Sequence, residues 1–407
     1  MELGTLSAPT APSAQTQVIP PPAPPTALEL FAGAGGLALG VHRAGFALVD
    51  IIEVDEACCA TLRSNASRLG VEQGFDARDV RTVDFSAYEG IDLLCGGAPC
   101  QPFSRAGRRR GRFDERNMLP EVVRAVAQSQ PRAFLIENVR GLLFESAENY
   151  FKSIIARLRN PTVADPGPVG NEDLYWASAP APSERDQYAV SFRLLDTADF
   201  GLSQRRPRLF IVGIRQDLVD RFEWPVGKFS RESLVEDLRG PQYWRDHPKA
   251  PPAARTLARE RLPKHSLKRG ANRWRTLRDL MVELGPPALN AELTDDPSHV
   301  VVPGARLYGK HTGSPIDWVA KTVKAGVHGS PGGEHIVVHH DGSFRYLTVR
   351  ECARLQGFPA DYELPAKRTP AMKQLGNAVA VNVAEAVSGQ LRACLEPEPD
   401  LKDESKR

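Results

Sequence analysis

The segment GGAPCQPFS, residues 96–104, places Pro99 and Cys100 directly after a short apolar run, residues 91–95. Such a run predicts a buried strand, and open α/β sheets bind their ligands at the carboxyl ends of parallel strands. A cysteine on a rigid turn at that position can act as a nucleophile. A cysteine in a turn is more often simply a small buried apolar residue, so the prediction depends on its neighbours.

Two further segments carry groups suited to work beside such a thiol. Glu137 ends the apolar run 133–136, where a carboxyl group can act as an acid near a nucleophile. An isolated acid there also fits a helix N-cap or a surface position. In QRRPRLFIVGIR, residues 204–215, Arg206 and Arg208 alternate along a predicted strand start and therefore share one face. Two guanidinium groups there can lower the pKa of a thiol and bind phosphate.

A glycine-rich segment, FAGAGGLALG at residues 31–40, lies between a predicted strand and a predicted helix. Its glycines let a ligand lie against the backbone, and the start of the helix attracts an anionic group. Glu53 follows Gly33 by twenty residues, at the end of the next predicted strand, where an acid can bind ribose hydroxyls. Asp79, after a further predicted strand, can accept a hydrogen bond from an adenine amino group. These residues together predict a nucleoside cofactor site rather than a plain structural turn.

Alternating strand and helix patterns must position these residues. Strands are predicted at 28–31, 48–54, 91–97, 133–138 and 208–215. Helices are predicted at 37–46, 119–128, 347–358 and 375–395, with a further one ending at Arg63, and the last opens with Gly376 and Asn377. The alternation predicts an α/β fold with a doubly wound, mainly parallel sheet.

Composition and charge narrow the possible functions. The chain is 42% hydrophobic and 25% charged, as in ordinary globular proteins, and no apolar run approaches the length of a membrane span. Its 6 cysteines show no zinc-ligand spacing, so we expect no metal and an intracellular, reduced protein. Residues 105–112 carry five arginines without an acid, and residues 245–278 are strongly basic. Such segregation predicts a polyanionic partner.

Six segments, in this order, resemble the DNA cytosine-5 methyltransferase family of bacterial restriction–modification systems, which uses S-adenosyl-L-methionine. FAGAGG resembles its first motif, GGAPCQPFS its PCQ motif, ENVRGL its ENV motif and QRRPRLFIVG its QxRxR motif. The segments 345–359 and 376–384 resemble the last two motifs. The resemblance implies the S-adenosylmethionine-dependent methyltransferase fold, with a smaller, irregular target-recognition domain inserted at residues 229–345.

The resemblance also assigns chemistry to the residues. Cys100 would add to C6 of a cytosine flipped out of the duplex, so that C5 can attack the methyl group. Glu137 would hold and protonate N3, while Arg206 and Arg208 would steady the exocyclic oxygen and the thiolate or a nearby phosphate. Unstacking the target base costs about a few kcal/mol.

Binding residues follow from the same motifs. The cofactor contacts implied are Phe31, Ala32, Gly33, Gly35, Gly36, Leu37, Glu53, Val54, Asp79, Val80, Pro99, Asn377 and Val379. The DNA contacts expected are Ser104, Arg105, Arg108, Arg109 and Arg110, on a loop that closes over DNA, and Arg273 and Arg275 in the recognition block.

The expected organisation places the catalytic domain on both sides of the recognition domain. The segments are a disordered Pro/Ala-rich tail (1–26), the catalytic and cofactor-binding domain (27–228), the target-recognition domain (229–345), a hinge and returning motif (346–370), the final helix (371–397) and a charged tail (398–407). Residues 145–186 are predicted to form a surface insertion.

The expected partner is double-stranded DNA, with a cognate restriction endonuclease in the same cell. We expect a monomer that contacts no membrane and lies in the bacterial cytoplasm at the nucleoid. Two alternatives remain: a transfer-RNA cytosine-5 methyltransferase, against which the long block 229–345 argues, and a catalytically silent DNA-binding regulator. The regulator would have lost Cys100, Glu137 or the arginine pair, and all four residues are present.

Overall fold

A six-stranded sheet lies at the centre of the computed structural model, which describes residues 23–71, 75–99, 117–162, 186–261, 272–307, 309, 312–327 and 334–396. Its strands are β1 (Thr26–Leu30), β2 (Ala47–Ile52), β3 (Leu93–Gly96), β4 (Ala133–Val139), β5 (Tyr188–Asp196) and β6 (Pro207–Arg215), in the spatial order β2-β1-β3-β4-β6-β5. The first four run parallel, whereas β6 is antiparallel to both β4 and β5. The predicted mainly parallel α/β sheet is confirmed.

Helices cover both faces of this sheet because successive strand residues point to opposite sides. Leu93 and Cys95 of β3 pack in one apolar core with the helices nearest the two ends of the described chain, whereas Leu94 packs in a second core. The helices of the catalytic region are α1 (Gly36–Arg43), α2 (Glu56–Ser64), α3 (Ala66–Leu69), α4 (Leu119–Ser129) and α5 (Glu148–Arg159).

Helix α5 corrects the prediction of a surface insertion at residues 145–186. Tyr150, Ile154 and Leu158 are buried in the second core, so this part of the segment belongs to the sheet domain. Their spacing of four residues is a helical pattern. Residues 163–185 of the same segment lie outside the described residues.

The block predicted to recognise DNA contains regular elements that its sequence did not reveal. They are the helices α6 (Arg231–Arg239), α7 (Gln242–Asp246), α8 (Pro252–Arg261) and α9 (Leu277–Leu284) and the short strands β7 (Phe229–Ser230), β8 (Asn272–Arg273), β9 (Ser314–Pro315), β10 (Ile336–Val338) and β11 (Phe344–Tyr346). Tyr243, Trp244 and Trp274 form a small core of this block. Ile316 and Val337 instead join the core beneath the sheet, so the block is packed onto the catalytic region.

Three helices complete the fold: α10 (Val349–Leu355), α11 (Arg368–Asn377) and α12 (Val381–Leu395). Thr348 and Glu351 form a capping box that starts α10. The single helix predicted at 375–395 is wrong, because Ala378 and Ala380 are extended and separate α11 from α12. Gly376 and Asn377 therefore end a helix instead of opening one. Within the described residues, no helix is long and apolar enough to cross a membrane.

Candidate active site

A cavity of about 650 Å³ lies where β1 to β4 end. Thirteen residues assigned to the cofactor or to catalysis line it: Phe31, Ala32, Gly33, Glu53, Val54, Asp79, Val80, Pro99, Glu137, Arg206, Arg208, Asn377 and Val379. Gly35, Gly36 and Leu37 are buried in the turn and helix behind this lining. Cys100 follows Pro99 and lies outside the described residues.

The glycine-rich turn forms an open cradle on one side of the cavity. Gly33 and Gly35 have positive φ angles of 56° and 77°, and Phe31, at 58°, shares this left-handed conformation. A Cβ atom added to Gly33 would meet no atom within 4 Å, so the space beside this backbone is free for a ligand. A Cβ on Gly36 would instead lie 2.2 Å from the carbonyl oxygen of Val379. Glycine is therefore required at 36 for close packing and at 33 for backbone conformation.

Glu53 presents a fixed carboxylate at the end of β2. Its Oε2 accepts a hydrogen bond from the Gly33 N–H at 2.7 Å, and its Oε1 accepts from the N–H groups of Val54 and Asp55, each at 2.8 Å. A carboxylate has about four lone-pair sites, so acceptor capacity remains for the hydroxyl groups of a ligand. The backbone thus orients Glu53 for the predicted contact with ribose.

The sequence predicted that Asp79 follows a strand. In the structure Asp79 is instead the N-cap of the 3₁₀ turn Val80–Thr82. Its carboxylate accepts from the backbone N–H of Arg81 at 3.0 Å and pairs with the Arg81 guanidinium at 2.5 Å. The Arg81 hydrogen bond lowers the pKa of Asp79 below its ordinary value. Asp79 lines the cavity as an ionised acceptor, which suits an amino-group donor.

Glu137 and Arg208 meet on neighbouring antiparallel strands. Arg208 Nε lies 3.1 Å from Glu137 Oε1, and Glu137 is only 7% exposed. Burial raises the pKa of Glu137, while the positive charges of Arg208 and Arg206 act in the opposite direction. Because burial has the larger effect, this carboxyl group accepts a proton more readily than an ordinary glutamate.

Asn138 fixes the turn that leads to Cys100. Its Nδ2 donates a hydrogen bond to the carbonyl oxygen of Ala98 at 3.3 Å, and its Oδ1 accepts from the Val139 N–H at 2.8 Å. The side chain is 1% exposed, so the contact is shielded from water. Asn138 was not assigned from the sequence, although it follows Glu137 directly in the ENV segment.

Arg206 differs from Arg208 because its guanidinium holds backbone groups. Its Nη1 donates to the carbonyl oxygen of Val323 at 2.8 Å, and its Nη2 donates to those of Gly376 and Ala378, each at 2.8 Å. The residue is 1% exposed and precedes β6, which begins at Pro207. Arg208 is thus the arginine beside Glu137, and Arg206 joins distant chain segments at the edge of the cavity.

Arg273 and Arg275, expected to contact DNA, both form ion pairs within the protein. Arg273 Nη1 lies 2.7 Å from an Asp279 oxygen, and Arg275 Nη2 lies 2.6 Å from a Glu283 oxygen. Contact with DNA would compete with these pairs, so the assignment stays a prediction. The other expected contacts, Ser104, Arg105, Arg108, Arg109 and Arg110, lie outside the described residues.

Several cavity residues escaped the sequence analysis. Lys373 and Gln374 reach the cavity from α11, and Asp55 and Cys58 reach it from the start of α2. Lys373 Nζ lies 2.8 Å from Asp55 Oδ2, so an ion pair joins the two helices at the cavity. Asp55 could have been found from the sequence, because an aspartate two residues after Glu53 and just before a helix is a typical N-cap. Nothing in the sequence position of Lys373 indicated that it pairs with Asp55. Across the described segments, no three or more His, Cys, Asp or Glu residues are grouped to hold a metal ion.

Comparison with known proteins gives consistent matches over most of the chain. The family model described as C-5 cytosine-specific DNA methylase matches residues 26–161 and 183–393. The type II methyltransferase M.NgoMIV of Neisseria gonorrhoeae is 33% identical over 385 residues, which cover 92% of this chain and 99% of that protein. The type II methyltransferase M.Eco47II of Escherichia coli is 32% identical over 370 residues, covering 89% and 77% of the two chains.

Solved structures match the fold at lower identity. The S. pombe Dnmt2 methyltransferase superposes with a TM-score of 0.55 at 18% identity, covering 90% of this chain and 98% of that one. The Entamoeba histolytica methyltransferase EhMeth gives a TM-score of 0.55 at 12% identity, with coverage of 92% and 99%. Identities this low indicate a common architecture and carry no information on substrate.

Proposed function

Because the chain belongs to the C-5 cytosine-specific DNA methylases, we propose that its cavity binds S-adenosyl-L-methionine and a cytosine flipped out of double-stranded DNA. The protein is a DNA cytosine-5 methyltransferase related to the type II enzymes. The cofactor, the residue roles and the state of the DNA are our proposals. The observation that carries them is the Glu137–Arg208 pair in the same cavity as the glycine-rich cradle and Glu53.

The cavity fits S-adenosylmethionine in shape and donor chemistry. Its volume, about 650 Å³, is within the usual range for ligand pockets. Gly33 leaves space for the ligand, Glu53 offers oriented acceptors for ribose hydroxyls, and Asp79 offers acceptors for an adenine amino group. Ile52, Val54 and Val80 contribute apolar lining. When bound, the cofactor supplies an electrophilic methyl group on a sulfonium.

The protein groups make cytosine C5 nucleophilic. The Cys100 thiolate forms a bond to C6, the C5–C6 double bond opens, and the electron density pushed into the ring is balanced by protonation of N3 from Glu137. C5 would then take the methyl group from the sulfonium, whose S–CH3 bond breaks to leave the thioether S-adenosylhomocysteine. A base, water if no side chain serves, removes the C5 proton; C6 releases the Cys100 thiolate and N3 returns its proton to Glu137.

Three observations support these roles. The raised pKa of Glu137 suits an acid that gives up a proton during the reaction. Arg208, at 3.1 Å from Glu137, is placed to orient that carboxyl group and to meet the exocyclic oxygen. Pro99 lines the cavity and Asn138 holds the preceding carbonyl, which supports assigning the next residue, Cys100, to the same site.

We further propose that the enzyme acts as a monomer in the bacterial cytoplasm, on nucleoid DNA, beside a cognate restriction endonuclease. The named type II relatives support the restriction–modification assignment.

Base-resolution sequencing of 5-methylcytosine tests the proposal. The chain is expressed in a host that lacks cytosine methylation, beside the Cys100→Ser variant at equal soluble level. We expect methylation at one recurrent short sequence, and none with the variant. Unmethylated DNA from soluble wild-type protein would contradict the proposal and favour an RNA substrate or a silent regulator. Methylation that persists in the variant would remove Cys100 from the mechanism.

A further inference from the structure

Val323, in the recognition block, is held through both of its backbone polar groups. Its N–H donates a hydrogen bond to Gln204 Oε1 at 2.6 Å, and its carbonyl oxygen accepts from Arg206 Nη1 at 2.8 Å. Gln204 and Arg206 both belong to the segment immediately before β6 in the catalytic sheet. The block is therefore attached to the sheet by two buried side chains at one residue.

The same two side chains also form hydrogen bonds with residues at and just beyond the ends of α10 and α11. Gln204 Nε2 donates to the carbonyl oxygen of Leu355 at 2.9 Å and to Gln356 Oε1 at 3.3 Å. Gln356 Nε2 in turn donates to the carbonyl oxygen of Leu375 at 2.6 Å. Gln204 and Gln356 thus connect Val323 to Leu375, in parallel with the bonds that Arg206 makes to Gly376 and Ala378.

These contacts are shielded from water. Gln204 and Gln356 are each 0% exposed and Arg206 is 1% exposed, so loss of one partner leaves buried polar groups unpaired. Gly376 adds a steric constraint, since a Cβ there would lie 1.9 Å from the backbone nitrogen of Ala325. The segment around Gly376 therefore has one well-determined position relative to the recognition block.

That segment forms a wall of the cavity. Gly376, Asn377 and Val379 line it, whereas Gln204 and Gln356 do not. We propose that Gln204 and Gln356 are positioning residues that fix this wall for cofactor binding. The inference rests on the proposed function, because it takes S-adenosylmethionine as the ligand. Neither glutamine touches the cavity, so any effect of its replacement on cofactor affinity must act through residues 375–379.

The test compares Gln204→Leu with a matched variant, Asn65→Leu, in the full chain. Asn65 is also 0% exposed, and its amide also bridges distant segments, through bonds to Thr61 and to both backbone groups of Glu363. Asn65 does not line the cavity. Both variants lose a buried amide network, so a structural role alone predicts similar thermal destabilisation and no selective effect on ligand binding.

Isothermal titration with S-adenosylhomocysteine is the first measurement. We expect Gln204→Leu to raise Kd roughly tenfold, about the net contribution of one hydrogen bond, and Asn65→Leu to leave Kd within about twofold of wild type. Steady-state methylation should show a matching rise in KM for S-adenosylmethionine. Gln356→Leu should have a similar effect, and the double variant should fall short of the product of the single effects.

Equal cofactor affinity in wild type and folded Gln204→Leu would overturn the inference. If Gln204→Leu does not fold, Gln204→Asn provides the same comparison, since it keeps both functional groups on a side chain one methylene shorter. A wild-type protein that binds no S-adenosylhomocysteine would overturn the cofactor assignment itself, and this inference with it. Tight binding by wild type and variant alike would overturn the positioning role alone.

Discussion

Glu137 shows how one residue is tuned by opposing influences. Its carboxyl group is buried, which favours the neutral form, yet it lies 3.1 Å from the Arg208 guanidinium, which favours the ionised form. Burial dominates and the pKa of Glu137 is raised. The group can therefore hold a proton at a pH where an exposed glutamate has lost it, and still release it to a base positioned alongside.

Replacing Glu137 tests this balance directly. A general acid acts only while protonated, so the single-turnover rate should fall as pH rises through the raised pKa of Glu137. Glu137→Gln should lower the rate by about 10²- to 10⁴-fold and abolish this fall in rate at high pH, the alkaline limb of the pH–rate profile. Rapid-quench measurement of methyl transfer between pH 5 and 9 checks both effects.

Arg208→Met serves as the companion variant. Loss of the Arg208 guanidinium removes a positive charge that lowers the pKa of Glu137, so the alkaline limb should move to higher pH even if the maximal rate falls. A limb that stays in place, or moves to lower pH, would show that Glu137 is not the titrating group.

At the scale of elements, the sequence predicted what local patterns encode. Strands β1 to β4 and β6, the glycine-rich turn and the positions of Glu53 and Glu137 follow from apolar runs and motif residues. Strand β5 was missed although residues 191–194 (SFRL) alternate between polar and apolar; all four are exposed, so this alternation does not mark a buried face. The break between α11 and α12 was missed because Gly376 and Asn377 were interpreted as the start of a helix, whereas they end one.

Contacts between distant segments could not be predicted from the sequence. The bonds of Arg206 to Val323 and Gly376 join residues more than 100 positions apart, and no spacing rule predicts them. Arg206 and Arg208 looked equivalent on one predicted face, yet one holds backbone and the other meets Glu137. Side-chain partners of this kind depend on tertiary packing, which a single sequence does not report.

Gly376 gives a prediction for the junction of α11 with the block 229–345. Gly376→Ala should destabilise the protein by several kcal/mol, roughly the upper range of single substitutions, because a Cβ would lie 1.9 Å from the Ala325 backbone nitrogen. Gly389→Ala is the matched control: it lies in α12 with no atom within 4 Å of an added Cβ. That change should stabilise by roughly 0.5–1 kcal/mol. Urea unfolding of both variants makes the comparison, and equal effects would refute the close contact.

Across the whole molecule, stability should depend on a carboxyl group buried within the sheet. Glu29 of β1 is 1% exposed, and its Oε2 has no hydrogen-bond partner among the described residues. Burial, followed by the negative charge of Glu53, raises the pKa of Glu29 well above its ordinary value. The folded protein therefore keeps a neutral Glu29 at a pH where the unfolded chain ionises it.

The sign of the pH effect follows from this difference. The neutral carboxyl group contributes its full stabilisation below the ordinary pKa of glutamate. This contribution is lost as pH rises through the raised pKa of Glu29, at up to about 1.4 kcal/mol per pH unit. Glu29→Gln should remove this loss and make the protein more stable than wild type at pH 8. Denaturant unfolding at pH 5 and pH 8 measures the loss, with Glu385→Gln, at a side chain that is 45% exposed, as control. A slope unchanged in Glu29→Gln would assign the pH dependence to other groups.

The residues that line the cavity are synthesised at widely separated times. Phe31 and Gly33 line it together with Asn377 and Val379, and the Tyr362 hydroxyl donates a hydrogen bond to the Ala34 carbonyl oxygen at 2.6 Å. A ribosome adds about 5–20 residues per second, so the glycine-rich turn exists for tens of seconds before residues 376–379 are synthesised. A nascent chain, or one truncated before Lys373, lacks these lining residues and should leave the host genome unmodified. Methylating activity therefore appears only late in translation, after the whole of the block 229–345 has been made.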